Sequence, residues 1–192
     1  MAATITRLVI ATGAALALSL GTPAVADAAI PAKFQQAFAS SKLPTPAVPT
    51  QWIEGDCPAY AAGSTSGCAY EHAVYVAAGE SRETVLHEYF HQVDRHALSM
   101  SVRTRFAKLM GIKVWNVATE RVAKTSEFHL NRGLRAPASE IFADVAMTCA
   151  TEGLRYKREL WGKRVYTDGY YVRLTRKSYN TVCGMLARGL RT

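Results

Sequence analysis

The run Thr84–Asp94, TVLHEYFHQVD, constrains this chain more than any other stretch. It holds His87, Glu88 and His91 in the pattern H-E-x-x-H. On an α-helix, residues four apart share a face, so both imidazoles can turn a ring nitrogen to one metal ion. Glu88, beside the first histidine, is placed to handle the proton of a water held by that metal. Val85, Leu86, Tyr89, Phe90, Val93 and Ala97 supply a broad apolar covering, as a helix running through a core requires. Tyr89 and Phe90 flank the motif and are read as packing residues. The stretch predicts a buried helix that carries a metal site.

Two histidines do not complete such a site. A catalytic zinc takes three protein ligands and keeps its fourth position open. Ala136–Ala150, APASEIFADVAMTCA, predicts a second helix: Pro137 and Ser139 suit its start, and Ile141, Phe142, Val145, Ala146 and Cys149 recur at helical spacing. Glu140 and Asp144 are four apart and fall on nearly one side of it. Glu140 is the candidate third ligand. Asp144 can accept a hydrogen bond from the distal nitrogen of a ligand histidine, which orients the ring and strengthens it as a ligand. Asp94, three residues after His91, is the rival for either task.

On these residues the chain resembles the HExxH zinc metallopeptidases, most closely the branch whose third ligand is a glutamate on a later helix, the gluzincins. The matching segments are His87-Glu88-Tyr89-Phe90-His91 and Glu140-Ile141-Phe142-Ala143-Asp144, an E-x-x-x-D pattern. The resemblance implies that Glu140 completes the site and that Asp144 supports His87. It covers mainly Ala73–Asp94 and Ala136–Ala150. The longer metzincin pattern is absent, because Asp94 stands where its glycine would be and Ala97 where its last histidine would be. The implied fold is α+β: a zincin-like domain with a small β-sheet over a central HExxH helix.

The beginning of the chain reads as an export signal. Arg7 precedes the apolar run Leu8–Leu20, and Gly21, Pro23 and the small residues Ala24–Ala29 follow, which predicts a signal peptide over 1–28 cleaved after Ala26 or Ala28. The apolar run is short for a membrane span and nothing later replaces it, so a secreted product is expected. Residues 29–192 are read as a single domain. Cys57, Cys68, Cys149 and Cys183 suit an oxidising compartment. They permit three pairings, of which Cys57–Cys68 and Cys149–Cys183 are favoured. With no C-x-x-C pair and wide spacings, a four-cysteine metal site is the weaker reading.

Along the mature part, Ala32–Ser40 predicts a short helix, and Pro44, Pro46 and Pro49 a linker, together filling 29–50. Trp52 and Ile53 begin a strand. Asp56–Gly67 reads as turns, His72–Ala77 as a strand and Ser81 as the N-cap of the metal helix. Val102–Met110 predicts a helix ending at Gly111. Thr167-Asp168-Gly169 is read as a turn, Tyr170–Thr175 as a strand and Ser178–Leu190 as a closing helix. His72–Ala77 is expected to offer a free edge to which an extended peptide adds as a strand.

The expected chemistry is peptide-bond hydrolysis. Zinc polarises a water and the scissile carbonyl, and Glu88 moves the water's proton to the leaving amine. Tyr170 or Tyr171 is the candidate oxyanion donor, with one of the two facing inward; His129 is the runner-up. His72 and His96 are further histidines to test as ligands. The formal charge of +8 suits an acidic or cell-surface partner, while the scattered basic residues form no nucleic-acid motif. A monomer acting on a peptide or protein substrate is the expected form. Two other readings use the same residues: a cationic secreted or cell-surface binding protein with an inactive HExxH helix, and a zinc hydrolase acting on cell-wall material.

Overall fold

The computed structural model describes residues 30–58, 66–112, 115, 127–129, 135–155, 165–167, 170–172 and 176–191. The leader assigned to 1–28 and the turn residues 168–169 lie outside them. Among the described residues the chain is α+β, with five α-helices, a three-stranded sheet and two two-stranded ladders.

Helix α1, Ala32–Ala39, buries Phe34 and Ala37, and Phe38 packs against the core. Strand β1 is Gln51–Glu54, β2 Gly67–Ala69 and β3 Ala73–Val76. The sheet order is β1-β3-β2, with β1 parallel and β2 antiparallel to β3. The strand expected as a free edge is therefore the central one, paired on both sides. Its Val74 and Val76 are fully buried, which the alternating HAVYVA pattern does show; what it cannot show is how many neighbours the strand has. The edges are β1 and β2, the latter a three-residue segment at the end of a stretch read as turns.

Helix α2, Arg82–Gln92, begins at Ser81, whose Oγ accepts the Thr84 N–H at 3.2 Å. It sends Val85, Leu86, Tyr89 and Phe90 into the core, where burying each large apolar side chain contributes roughly 1.5–3 kcal/mol. A π-helical turn, Val93–Ala97, follows directly, closed by the Leu98 N–H on the Val93 carbonyl at 2.7 Å.

Ser99 caps α3, Met100–Met110. Strands β4, Glu127–His129, and β5, Arg135–Pro137, pair antiparallel just before α4, Ala138–Glu152. Pro137 thus closes a strand, and the helix starts one residue later. Gly153, at φ 101°, ends α4 in the left-handed conformation that glycine adopts without strain. Strands β6, Val165–Thr167, and β7, Tyr170–Val172, form the last ladder before α5, Arg176–Gly189.

Two aromatic groups hold α2 from opposite directions. Phe34, Phe38 and Trp52 gather around Tyr89, whose hydroxyl donates to the Pro46 carbonyl at 2.8 Å. Phe90, Phe106 and Trp115 each meet Phe142 of α4 edge-on. Two disulfides close the frame. Cys57–Cys68 links the segment after β1 to β2, and Cys149–Cys183 ties α4 to α5. Each contributes on the order of 2–4 kcal/mol by restricting the unfolded chain.

Candidate metal centre

The packing of α4 across α2 brings Glu140 over the two histidines. His87 Nε2 and His91 Nε2 stand 3.1 Å apart. Glu140 places Oε2 3.3 Å from the first and Oε1 3.3 Å from the second. These three residues form the one group of histidine, cysteine, aspartate or glutamate side chains among the described residues that could hold a metal ion. Their side chains are neither sealed nor open: His91 keeps 12% of its surface exposed and Glu140 32%.

Behind His87 stands Asp144, one turn further along α4. Its Oδ1 lies 2.7 Å from His87 Nδ1, and its side chain is almost fully buried. A carboxylate at that nitrogen holds the proton there, which leaves the Nε2 lone pair pointing into the group. The other oxygen, Oδ2, is buried with no hydrogen-bond partner among the described residues. Such an atom is costly unless its charge is balanced nearby.

The electrostatics of the group favour positive charge. Burial works against protonation of His87, yet the hydrogen bonds to Asp144 and Glu140 and the charge of Glu88 raise its pKa well above that of a free imidazole. His91 is likewise opposed by burial but raised on balance by Glu140 and Glu88. Burial pushes the Glu140 carboxyl up, and the two imidazoles outweigh it and hold it well below the usual range. Asp144 is raised by burial. The group thus draws positive charge, which protons supply when a metal does not. Glu88 is itself buried, and its field reaches both histidines.

The remaining sequence candidates are placed as follows. Asp94 sits in the π-helical turn, where its Oδ1 accepts from Arg103 Nη2 at 2.8 Å, Arg103 Nε at 3.2 Å and Trp115 Nε1 at 3.2 Å. Arg103 also donates to the Asp94 carbonyl, one of the groups that the wider turn releases from the helix ladder. Asp94 is thus committed to a buried ion pair, and the third position beside the imidazoles belongs to Glu140. His72 and His96 stack on each other with centroids 5.7 Å apart and lie outside the His87–His91–Glu140 group. Tyr170 and Tyr171 fall in β7 and His129 in β4, and their side chains lie outside the described part of the structure.

Sequence reasoning passed over Gln92 and Arg95 near the end of α2, and took up His96 only as a histidine to test as a ligand. Gln92 Nε2 donates to the Tyr70 carbonyl at 2.6 Å, Arg95 Nη1 to Ala69 at 2.9 Å, and His96 Nε2 lies 2.7 Å from the Glu71 carbonyl. They fasten β2 and the turn after it onto the helix. The available signal was a polar glutamine, Gln92, one position after His91 and between the apolar Phe90 and Val93. Comparison with known proteins finds no matching family model, no similar curated protein and no similar solved structure.

Proposed function

We propose that the protein is a secreted zinc-dependent endopeptidase of zincin-like fold, similar to the gluzincins. The observation that carries this reading is the convergence of two imidazole nitrogens and one carboxylate, 3.1–3.3 Å apart, beside the buried Glu88. Ligands at about 2.0–2.1 Å around a tetrahedral zinc stand roughly 3.3 Å from one another, so the three donors fit that ion with little adjustment. Both the donor types and their number match a catalytic rather than a closed structural site.

Zinc held there would supply Lewis-acid polarisation of a water and of the scissile carbonyl. The chain supplies the rest. Glu88 accepts the proton of the attacking water and returns it to the leaving amine. Asp144 keeps His87 in the tautomer whose Nε2 faces the ligand group. An extended substrate would meet the outer edge of β2 at Gly67, because the Ala69 carbonyl is taken by Arg95. The bonds from Tyr70 N–H to Ala73 and from Ala77 N–H to Ser66 use the inner side of that strand. Strand alternation then turns the backbone groups of Gly67 outward, next to Glu88. Secretion is supported by the leader sequence and by the two disulfides.

The test begins with the oxidised, mature chain purified without chelators. About one zinc per protein is expected in the parent, and a marked loss in Glu140→Ala. The parent should cleave members of a peptide library, and Glu88→Gln should cut the rate to a small residual while keeping zinc. A folded parent that stays empty in supplied zinc sinks the reading. Zinc-loaded parent that turns over wall polymers through Glu88, but no peptide, would assign the centre to a different bond.

A further inference from the structure

Gly67 lies in β2, half-buried, and no motif singles it out. A Cβ built on it would stand 2.9 Å from Glu88 Cγ, 3.1 Å from Glu88 Oε1 and 3.2 Å from the Tyr75 carbonyl oxygen. Carbon atoms in comfortable contact are about 3.5–4.0 Å apart, so a methyl group at this position forces something to move.

What moves is decided by how each neighbour is held. Tyr75 is backbone of the central strand, paired on both sides. Strand β2 is fixed by its ladder with β3, by the Cys57–Cys68 bridge through the adjacent residue, and by the bonds from Gln92 and Arg95 to Tyr70 and Ala69. Glu88 Cα belongs to the middle of α2. Of these neighbours only the Glu88 side chain can answer by rotation about its own bonds, and the clash reaches its Cγ as well as its terminal oxygen. It must therefore leave its rotamer.

We infer that Gly67 is a positioning residue for hydrolysis: the missing side chain is what lets the Glu88 carboxylate hold its place beside the ligand group. The inference rests on the peptidase reading and adds a residue from the sheet edge to it.

The experiment is a double-mutant cycle on the zinc-loaded protein, with G67A, E88Q and G67A/E88Q. Zinc content should be unchanged in all three, because Gly67 touches none of the ligands in its short contacts. A carboxylate displaced by about 1 Å should lower kcat by about 100-fold with KM nearly constant. In the E88Q background the same change should lower the residual rate by less than twofold. A purely structural defect would lower both backgrounds alike, and that outcome overturns the inference. So does a G67A rate within twofold of the parent.

A second cycle is independent of activity. E88A removes two of the three close atoms and leaves the Tyr75 carbonyl, so G67A should lower the melting temperature more in the parent than in the E88A background, even if G67A alone folds poorly. Equal lowering in both removes the contact. A parent that holds zinc and cleaves nothing defeats the peptidase reading, and this inference with it. An active parent with E88Q cut to a small residual rate and an unaffected G67A defeats this inference alone.

Discussion

Two buried clusters of acid and base lie within a few residues of each other on the same stretch of chain, and they are built on opposite plans. Around Asp94 every strong donor has an acceptor: Arg103 forms two bonds to the carboxylate and one to the carbonyl, and Trp115 adds another. Arg103 also lies over the Trp115 ring, 5.6 Å from its centroid. Around His87 and His91 the acceptors outnumber the donors. Three carboxylates surround two imidazoles, and two ring nitrogens face each other across 3.1 Å. A cluster that completes itself reads as structure. A cluster whose lone pairs converge on a common point reads as a place for a cation.

The contrast can be broken most sharply at Glu140. Glu140→Ala should remove stoichiometric zinc, with affinity falling by more than the roughly 10–100-fold typical of an outer supporting partner, and leave folding intact. Equilibrium dialysis with zinc, beside a circular dichroism melt, measures both. Asp94→Ala should do the reverse. Leaving Arg103 buried and unpaired is expected to cost about 3–5 kcal/mol in urea unfolding, with zinc content unchanged. If Asp94→Ala loses zinc while keeping its stability, the two clusters are not separate.

Asp144 tests the boundary between them, since it is buried like Asp94 but bonds to His87 of the candidate group. Asp144→Ala should weaken zinc by about 10–100-fold, which competition with a chelator of known affinity would resolve. The smallest effect is in pH. In the zinc-free protein His87 and His91 hold protons more tightly than in the unfolded chain. That stability is complete below pH about 6.5 and is lost as the pH rises through the raised values. Zinc needs the deprotonated rings, so its stabilisation grows over the same interval. The zinc-free melt should therefore be higher at pH 6 than at pH 8, and the gap between loaded and empty protein should widen towards pH 8. A zinc-free melt that rises with pH would show that other groups dominate.

Much of the site was legible because it is written in local spacing. His87, Glu88 and His91, the Ser81 cap, and the Glu140–Asp144 interval each follow from three to four residues of one helix. Cys57–Cys68 and Cys149–Cys183 were the favoured of three pairings and are the ones formed. What spacing did not reach was the order of the sheet and the use of the turn after His91, both set by partners distant in sequence. At three residues beyond His91, Asp94 would lie near the ligand face of a continuous α-helix, but the wider turn from Val93 and the pull of Arg103 give it another use. The rank of β3 in the sheet depends on β1 and β2, and three residues ending a turn-rich stretch give β2 no period to recognise. Gly67 carries no side chain for a pattern to register, and its significance lies in Glu88, 21 positions away in sequence.

The fastening of β2 to the end of α2 has a mechanical consequence. Gln92, Arg95 and His96 lock onto three successive carbonyls, Ala69, Tyr70 and Glu71, so strand and helix travel as one piece. A chain laid along β2 would keep a fixed distance to Glu88 through every thermal fluctuation of that piece. Release of a product would then have to come from its other wall, where Glu140 arrives on a separate helix, and α4 is itself tethered to α5 by Cys149–Cys183. The molecule resembles a vice with one jaw cast solid and the other hung on a short chain.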